Sequence, residues 1–213
     1  MKTLSSFLVI PMLAIGLFTS THATASSNVA QGKTVTLTDG TFFTGGWGGG
    51  AVVDPMTVVD GVFLPKQTPW DQGAVWWDDH DGVANHIEID LGGTFVIESF
   101  VVQADDNDAY NLEYRDLISG DWILAWAVPN YDDRGWGMLT RPDVNNDATV
   151  YTLASSITTD ALRISGNMDS GDRYFSVSEV QAYGYAAEVP APAALILFAA
   201  GLLGMSLTRR KAA

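Results

Sequence analysis

Residues 86–103 read HIEIDLGGTFVIESFVVQ, and the fold is decided there. From His86 to Leu91 the chain alternates. Ile87, Ile89 and Leu91 face one way and His86, Glu88 and Asp90 the other, which is the period of a half-buried strand. Gly92-Gly93 reads as a turn. Phe95 to Gln103 is the strongest strand in the chain, and apolar residues on both of its faces predict a central position buried on two sides.

Working outward, strand signals are short and many, separated by Gly, Asp, Asn and Pro clusters. Lys33–Leu37 is β-prone, and the Gly-rich Thr41–Gly50 reads as a loop. Asp105–Asp108 is read as an acidic loop. Tyr110–Arg115 and Asp121–Ala127 form a hairpin around Ser119-Gly120, and Asn130–Asn146 reads as a long loop. Thr149–Leu153, Asp160–Gly166 and Tyr174–Tyr185 close the series. No stretch of 12 residues between 26 and 188 has clean helical periodicity. About eight strands with turn signals between them predict an all-β, antiparallel jelly-roll sandwich.

The two ends carry different signals. Lys2, an apolar run from Phe7 to Phe18, and Ala23-Thr24-Ala25 form a secretory signal peptide, residues 1–25, with cleavage expected after Ala25. At the other end stands VPAPAALILFAAGLLGMSLTRRKAA, residues 189–213. Ala193 to Leu207 carries no charge. A helix of that length covers roughly 22 Å, against a bilayer core of about 30 Å, so the expected span, about 191–208, is short. The basic cluster would stay cytoplasmic. Val189, Pro190, Ala191 and Pro192, then the span, then Arg209 and Arg210, resemble the PEP-CTERM sorting signal of Gram-negative bacteria. That resemblance implies recognition and cleavage by a membrane-embedded exosortase. The protein would then be held transiently in the membrane and end at the cell surface or in the extracellular matrix. Ala191 stands where the family often has Glu.

Between these ends lies one domain, residues 26–188. It holds all 25 acidic residues and seven basic ones, a net charge of −18. Such a surface repels nucleic acid and anionic lipid and attracts divalent cations; the same acidity also keeps an exported protein soluble. The absence of cysteine excludes disulfides, thiolate catalysis and Cys-based zinc sites.

A second resemblance spans nearly all of the domain. Asn28-Val29-Ala30-Gln31-Gly32-Lys33 opens it. Val59-Asp60-Gly61, Thr68 and Trp70 follow, then Ile87-Glu88-Ile89-Asp90-Leu91-Gly92, Leu162-Arg163-Ile164, and Ser176-Val177-Ser178-Glu179-Val180-Gln181-Ala182-Tyr183-Gly184. In that order they resemble a discoidin domain, the coagulation-factor C-type module with a galactose-binding-like jelly roll. The resemblance implies a structural Ca²⁺ held by Asp60, Thr68 and Glu179 with backbone carbonyls, a ligand set that suits an ion taking six to eight oxygens. Pro65 and a longer spacing from Asp60 to Thr68 depart from the family pattern. An ordinary turn aspartate and a solvent-facing glutamate are the plain alternative.

The resemblance also implies a carbohydrate surface, with loop aromatics stacking on sugar rings and polar side chains bonding hydroxyls. The loop candidates are Trp47, Trp76, Trp77, His80, Tyr131, Arg134 and Trp136, with Trp70 and Trp122 assigned to packing. For any single tryptophan, packing is the ordinary explanation. Trp76, Trp77 and Trp136 on one exposed concave surface would mark a binder of extracellular polysaccharide; the same residues buried would mark a structural matrix component. A hydrolase is the third class. Asp78-Asp79-His80-Asp81 could supply acid groups, but glycoside hydrolysis needs two carboxylates about 5–10 Å apart in a cleft. No G-x-S-x-G is present, and Asp105-Asp106-Asn107-Asp108 lacks the Gly and Glu of an EF-hand loop. The expectation is a non-catalytic domain.

Overall fold

A computed structural model describes residues 25–43, 53–80, 82–131 and 137–188. The signal peptide before Ala25, the sorting tail from Val189 onward, Trp47, Asp81, Arg134 and Trp136 lie outside the described residues. Among the described residues there is no helix long and apolar enough to cross a membrane.

Among the described residues, ten antiparallel strands form one continuous, curled sheet. They are β1 (Ser27–Asn28), β2 (Thr34–Thr38), β3 (Phe42–Phe43), β4 (Val75–Asp78), β5 (His86–Asp105), β6 (Tyr110–Arg115), β7 (Trp122–Val128), β8 (Met138–Arg141), β9 (Tyr151–Gly166) and β10 (Tyr174–Ala186). The curl comes from β5 and β9, each of which serves both halves of a sandwich. The first half of β5 (86–90) lies between β2 and the end of β9, with β6 and β7 beyond. Its second half (95–105) lies between β10 on one side and β8 and the start of β9 on the other. β4 pairs with β10, and β3 pairs with β4.

Gly92-Gly93 therefore does not turn the chain back. The strand runs through it, and the register against β9 shifts between Asp90 and Phe95. Gly92 supplies the positive φ of +69° that such an irregularity needs. The two faces close on one apolar core. Ile87, Ile89, Leu112, Leu162 and Ile164 come from one half, and Trp77, Phe100, Val102, Phe175, Val177 and Val180 from the other. The alternation of His86–Leu91 is as expected, whereas the two-sided burial expected for Phe95–Gln103 begins only at Ser99: Phe95 and Val96 are half-buried and Glu98 is exposed.

Three other expectations change. β4 is a strand although its surroundings read as loop, because Val75-Trp76-Trp77 fills a slot between β3 and β10. β8 stands inside the expected 130–146 loop, paired to β5 over Val102–Asp105. The acidic loop expected at Asp105–Asp108 begins one residue later, since Asp105 ends β5, and Asp105, Asp106 and Asp108 are buried.

Candidate functional site

β4 decides which aromatics can meet a ligand. Its two indoles point to opposite faces, Trp77 into the core and Trp76 against Phe43 and Trp70. Trp77 is fully buried, in the core, with Phe42, Tyr110 and Phe175 around it. Its indole N–H donates to Asp79 at 3.0 Å. Trp76 is 4% exposed, stacked on Phe43 at 4.4 Å and met edge-on by Trp70 at 5.0 Å. Both are expected from the sequence to be exposed ligand platforms, and both are buried, Trp77 among core side chains and Trp76 against Phe43 and Trp70. Trp70, which sequence reasoning assigned to packing alone, also lines a cavity. Tyr174, at the start of β10, is a site residue that sequence reasoning missed.

From the stacked pair a run of rings continues to the surface. Half-buried Trp70 lies 5.9 Å from half-buried Tyr174, and Tyr174 lies 4.8 Å from exposed His80. His80 is positioned by Asp78, whose Oδ1 accepts from the His80 amide at 2.9 Å and meets its ring Nδ1. These bonds hold Asp78 below the usual carboxylate range against the opposing effect of burial. Tyr131 is half-buried, bonds the Pro142 carbonyl and lies against Arg141. It braces β8 and has no place in the aromatic run. Trp122 is half-buried under the Arg163 guanidinium, which fits its assignment to packing.

Beside Trp70 opens a cavity of about 210 Å³ lined by Trp70, Asp105, Asn107 and Asp172. Its acid groups are poorly compensated. Arg141 is buried next to them, yet its donors go to the carbonyls of Pro129, Ala104, Leu139, Asp105 and Asp108. Burial, then the charge of Asp108, pushes Asp105 up to about 8. Burial, then Asp172, pushes Asp108 up to about 7, against the weaker pull of the Arg173 amide. The Asp-rich composition of this segment hid it, since such a run ordinarily marks solvent. The usable signal was β5 itself: its apolar alternation carries straight into Asp105 without a turn residue.

The calcium ligand set is brought together in part. Glu179 is fully buried on β10. Its Oε1 accepts from the Gly61 amide and from Gln181, each at 3.1 Å, while Oε2 has no partner. Burial is the main reason its carboxyl is pushed up to about 8, and the nearby charge of Asp60 adds to the rise. An orphaned buried carboxylate oxygen beside a second carboxylate fits a hard cation. Thr68 fits less well, because its hydroxyl donates to the Pro65 carbonyl at 2.6 Å and its own carbonyl accepts from Met138. Among the described residues no three Asp, Glu or His side chains converge as a metal cage. An ion at Glu179 would thus rely on backbone carbonyls.

The acid pair required for hydrolysis is not formed by Asp78 and Asp79. Asp79 is buried and accepts from Trp77 and from the Asn85 amide, and Asp78 is engaged by His80.

No family model and no curated protein matches the chain. Solved structures do. The chain is similar to a fucolectin from striped bass (Morone saxatilis) serum, with a TM-score of 0.54 and 10% identity, over 78% of this chain and 51% of that one. It is also similar to chitosan-binding module 1 of a chitosanase/glucanase from Paenibacillus sp. IK-5, with a TM-score of 0.46 and 17% identity, over 74% and 99%. A third is the family 32 carbohydrate-binding module of Clostridium perfringens NanJ, solved with galactose, with a TM-score of 0.45 and 13% identity, over 75% and 98%. The fold is thus an antiparallel jelly roll, as expected, and it is shared with the fucolectin. At these identities the likeness concerns the fold.

Proposed function

We propose that the protein is an exported carbohydrate-binding protein of the cell surface or extracellular matrix, without catalytic activity. The observation that carries this reading is the juxtaposition of Trp70, Tyr174 and His80 with a polar cavity at one end of the sandwich. Sugar recognition needs that combination: an aromatic wall for the apolar face of a pyranose and fixed polar groups for its hydroxyls. The fucolectin that shares the fold is a lectin, which suits the same ligand class. Export through the signal peptide, exosortase processing of the tail and transient membrane anchoring complete the proposal and rest on residues 1–25 and 189–213.

The binding surface is smaller and differently composed from the one the sequence suggests, since Trp76 packs against Trp70 and Trp77 lies in the core. A Ca²⁺ at Asp60 and Glu179 would tie the 60–64 loop to β10. There it would neutralise the buried Glu179 and hold the sandwich end without touching the ligand.

The test is retention of the full-length protein on extracellular polysaccharide and on a glycan panel, with and without chelator. Retention that falls at least about tenfold in Tyr174→Ala and His80→Ala supports the reading. Chelator lowering the melting temperature supports the calcium clip.

One observation favours a second reading, a structural matrix protein with no specific ligand. Trp76 and Trp77 are buried, as that reading requires. Absence of retention on every glycan would leave it as the better account.

A further inference from the structure

The cavity beside Trp70 has a charge character that neutral sugar binding does not require. Asp105 stands at its wall, 3% exposed, accepting from the Asp106 amide at 2.9 Å. Asp172 stands exposed at the mouth, with Oδ1 accepting from the Tyr174 amide at 3.1 Å. Behind the wall Asp106 Oδ2 is buried without a hydrogen bond, and Asp108 is buried against the amides of Asp172 and Arg173. Among the described residues Arg141 is the one buried cation whose charge acts on Asp105, Asp106 and Asp108, and it gives its hydrogen-bond donors to backbone carbonyls. A group of buried carboxyls sharing a single counter-charge is costly. Part of that cost is met by holding protons, as the upward shifts of Asp105 and Asp108 show.

A cation entering the cavity would meet the rest. A metal ion is poorly served, because no three carboxylates or imidazoles converge among the described residues. An ammonium asks for less. It carries one charge and three donors and tolerates loose geometry. Asp105, Asp172 and the Asn107 carboxamide provide acceptors, and the Trp70 indole borders the same space.

From the cavity that joins Trp70 to Asp105 and Asp172, we propose that the site takes an amino sugar, reading a free primary ammonium on the ring. This rests on the carbohydrate-binding reading above and sets the ligand class of that same site. The aromatic wall orients the pyranose, and the Asp172 carboxylate, with the Asp105 carboxyl as a further acceptor, separates a free amine from its N-acetylated counterpart.

The test compares the trisaccharide of glucosamine with the trisaccharide of N-acetylglucosamine, by calorimetry on the full-length protein at fixed ionic strength. These differ in charge and otherwise share a backbone. Asp172→Asn is the principal variant, because Asp172 is exposed and the change keeps its shape. Asp143→Asn, on the β8–β9 loop, controls for general attraction of a cation to an acidic protein. The expected result is at least about tenfold tighter binding of the free amine, the size of one charge-assisted contact. Asp172→Asn should remove most of that preference and Asp143→Asn none.

Equal binding of the two trisaccharides would overturn the ammonium proposal and leave the carbohydrate reading standing. Equal losses in the two variants would also overturn it, as non-specific attraction. A response to Ca²⁺ alone that depends on Asp172, with none to either sugar, would make the cavity a metal site. Binding of neither trisaccharide, nor of any glycan on the panel, would remove both proposals together.

Discussion

Glu179, Asp105 and Asp108 are acids with almost no exposed surface. Their carboxyls are pushed up to about 8, 8 and 7, against ordinary values near 4. Between those limits the folded chain holds protons that the unfolded chain has released, so unfolding becomes easier as pH rises. His86 works in the opposite direction: burial lowers it, and its contribution grows as pH rises to about 6.5. Above pH 7 only the acids remain. In chelator, the melting temperature should therefore fall from pH 7 to pH 9, and Asp105→Asn should flatten the slope. Arg141, Asp106, Asp108, Tyr110 and Asp172 surround Asp105, and none of them reverses this sign. A melting temperature that is constant or rises over that window contradicts the assigned burial. Trp77 offers a second check. A fully buried indole whose N–H satisfies Asp79 should cost about 3–5 kcal/mol on replacement by Ala, read by urea unfolding. A surface ligand platform would cost far less.

At the scale of elements, the long strands hold the sandwich together, and the glycines within them are not equivalent. Gly92 has φ +69° and no atom near the position of a Cβ, so Gly92→Ala should cost only backbone strain, about 1–2 kcal/mol. Gly184 is different. A Cβ there would stand 2.0 Å from the Val96 carbonyl oxygen, at a register shift between β10 and β5. Gly184→Ala must push β10 away from β5 and should lower the urea midpoint further than Gly92→Ala; the reverse order would contradict the register.

The alternation of Ile87, Ile89 and Leu91, and the β6–β7 hairpin about Ser119-Gly120, were legible because their periodicity is local. β4 and β8 were not. Val75-Trp76-Trp77 and Met138-Leu139-Thr140 are too short to show a period, and only pairing with β10, β3 and β5 makes them strands. The same limit hid the site. Trp70 and Tyr174 lie far apart in sequence and meet across the sandwich end, and Asp105–Asp108 has the composition of a solvated loop but the position of a strand end. Glu179 was legible, since a charge between Val177 and Val180 needs a partner.

At the scale of the whole molecule, residues 26–188 are an acidic jelly roll, and the stretches on either side carry the proposed targeting signals. Its aromatic content serves the core first, through Trp77, Tyr110, Phe100 and Phe175, and the surface second, through Trp70, Tyr174 and His80. If Ca²⁺ occupies the Glu179 end, saturating calcium should raise the melting temperature of the full-length protein by mass action. Glu179→Gln should abolish that rise while leaving the cavity around Asp105 intact, so glycan retention without calcium would match the parent. A calcium-dependent rise that survives Glu179→Gln would place the ion elsewhere. The most direct measurement of the central claim is retention of the full-length protein on a glycan panel, with Tyr174→Ala and His80→Ala run in parallel. Retention on at least one glycan, lost in both variants while their melting temperatures stay close to the parent's, is the predicted result. No retention on any glycan, or retention indifferent to both changes, would contradict a binding site at this end of the sandwich.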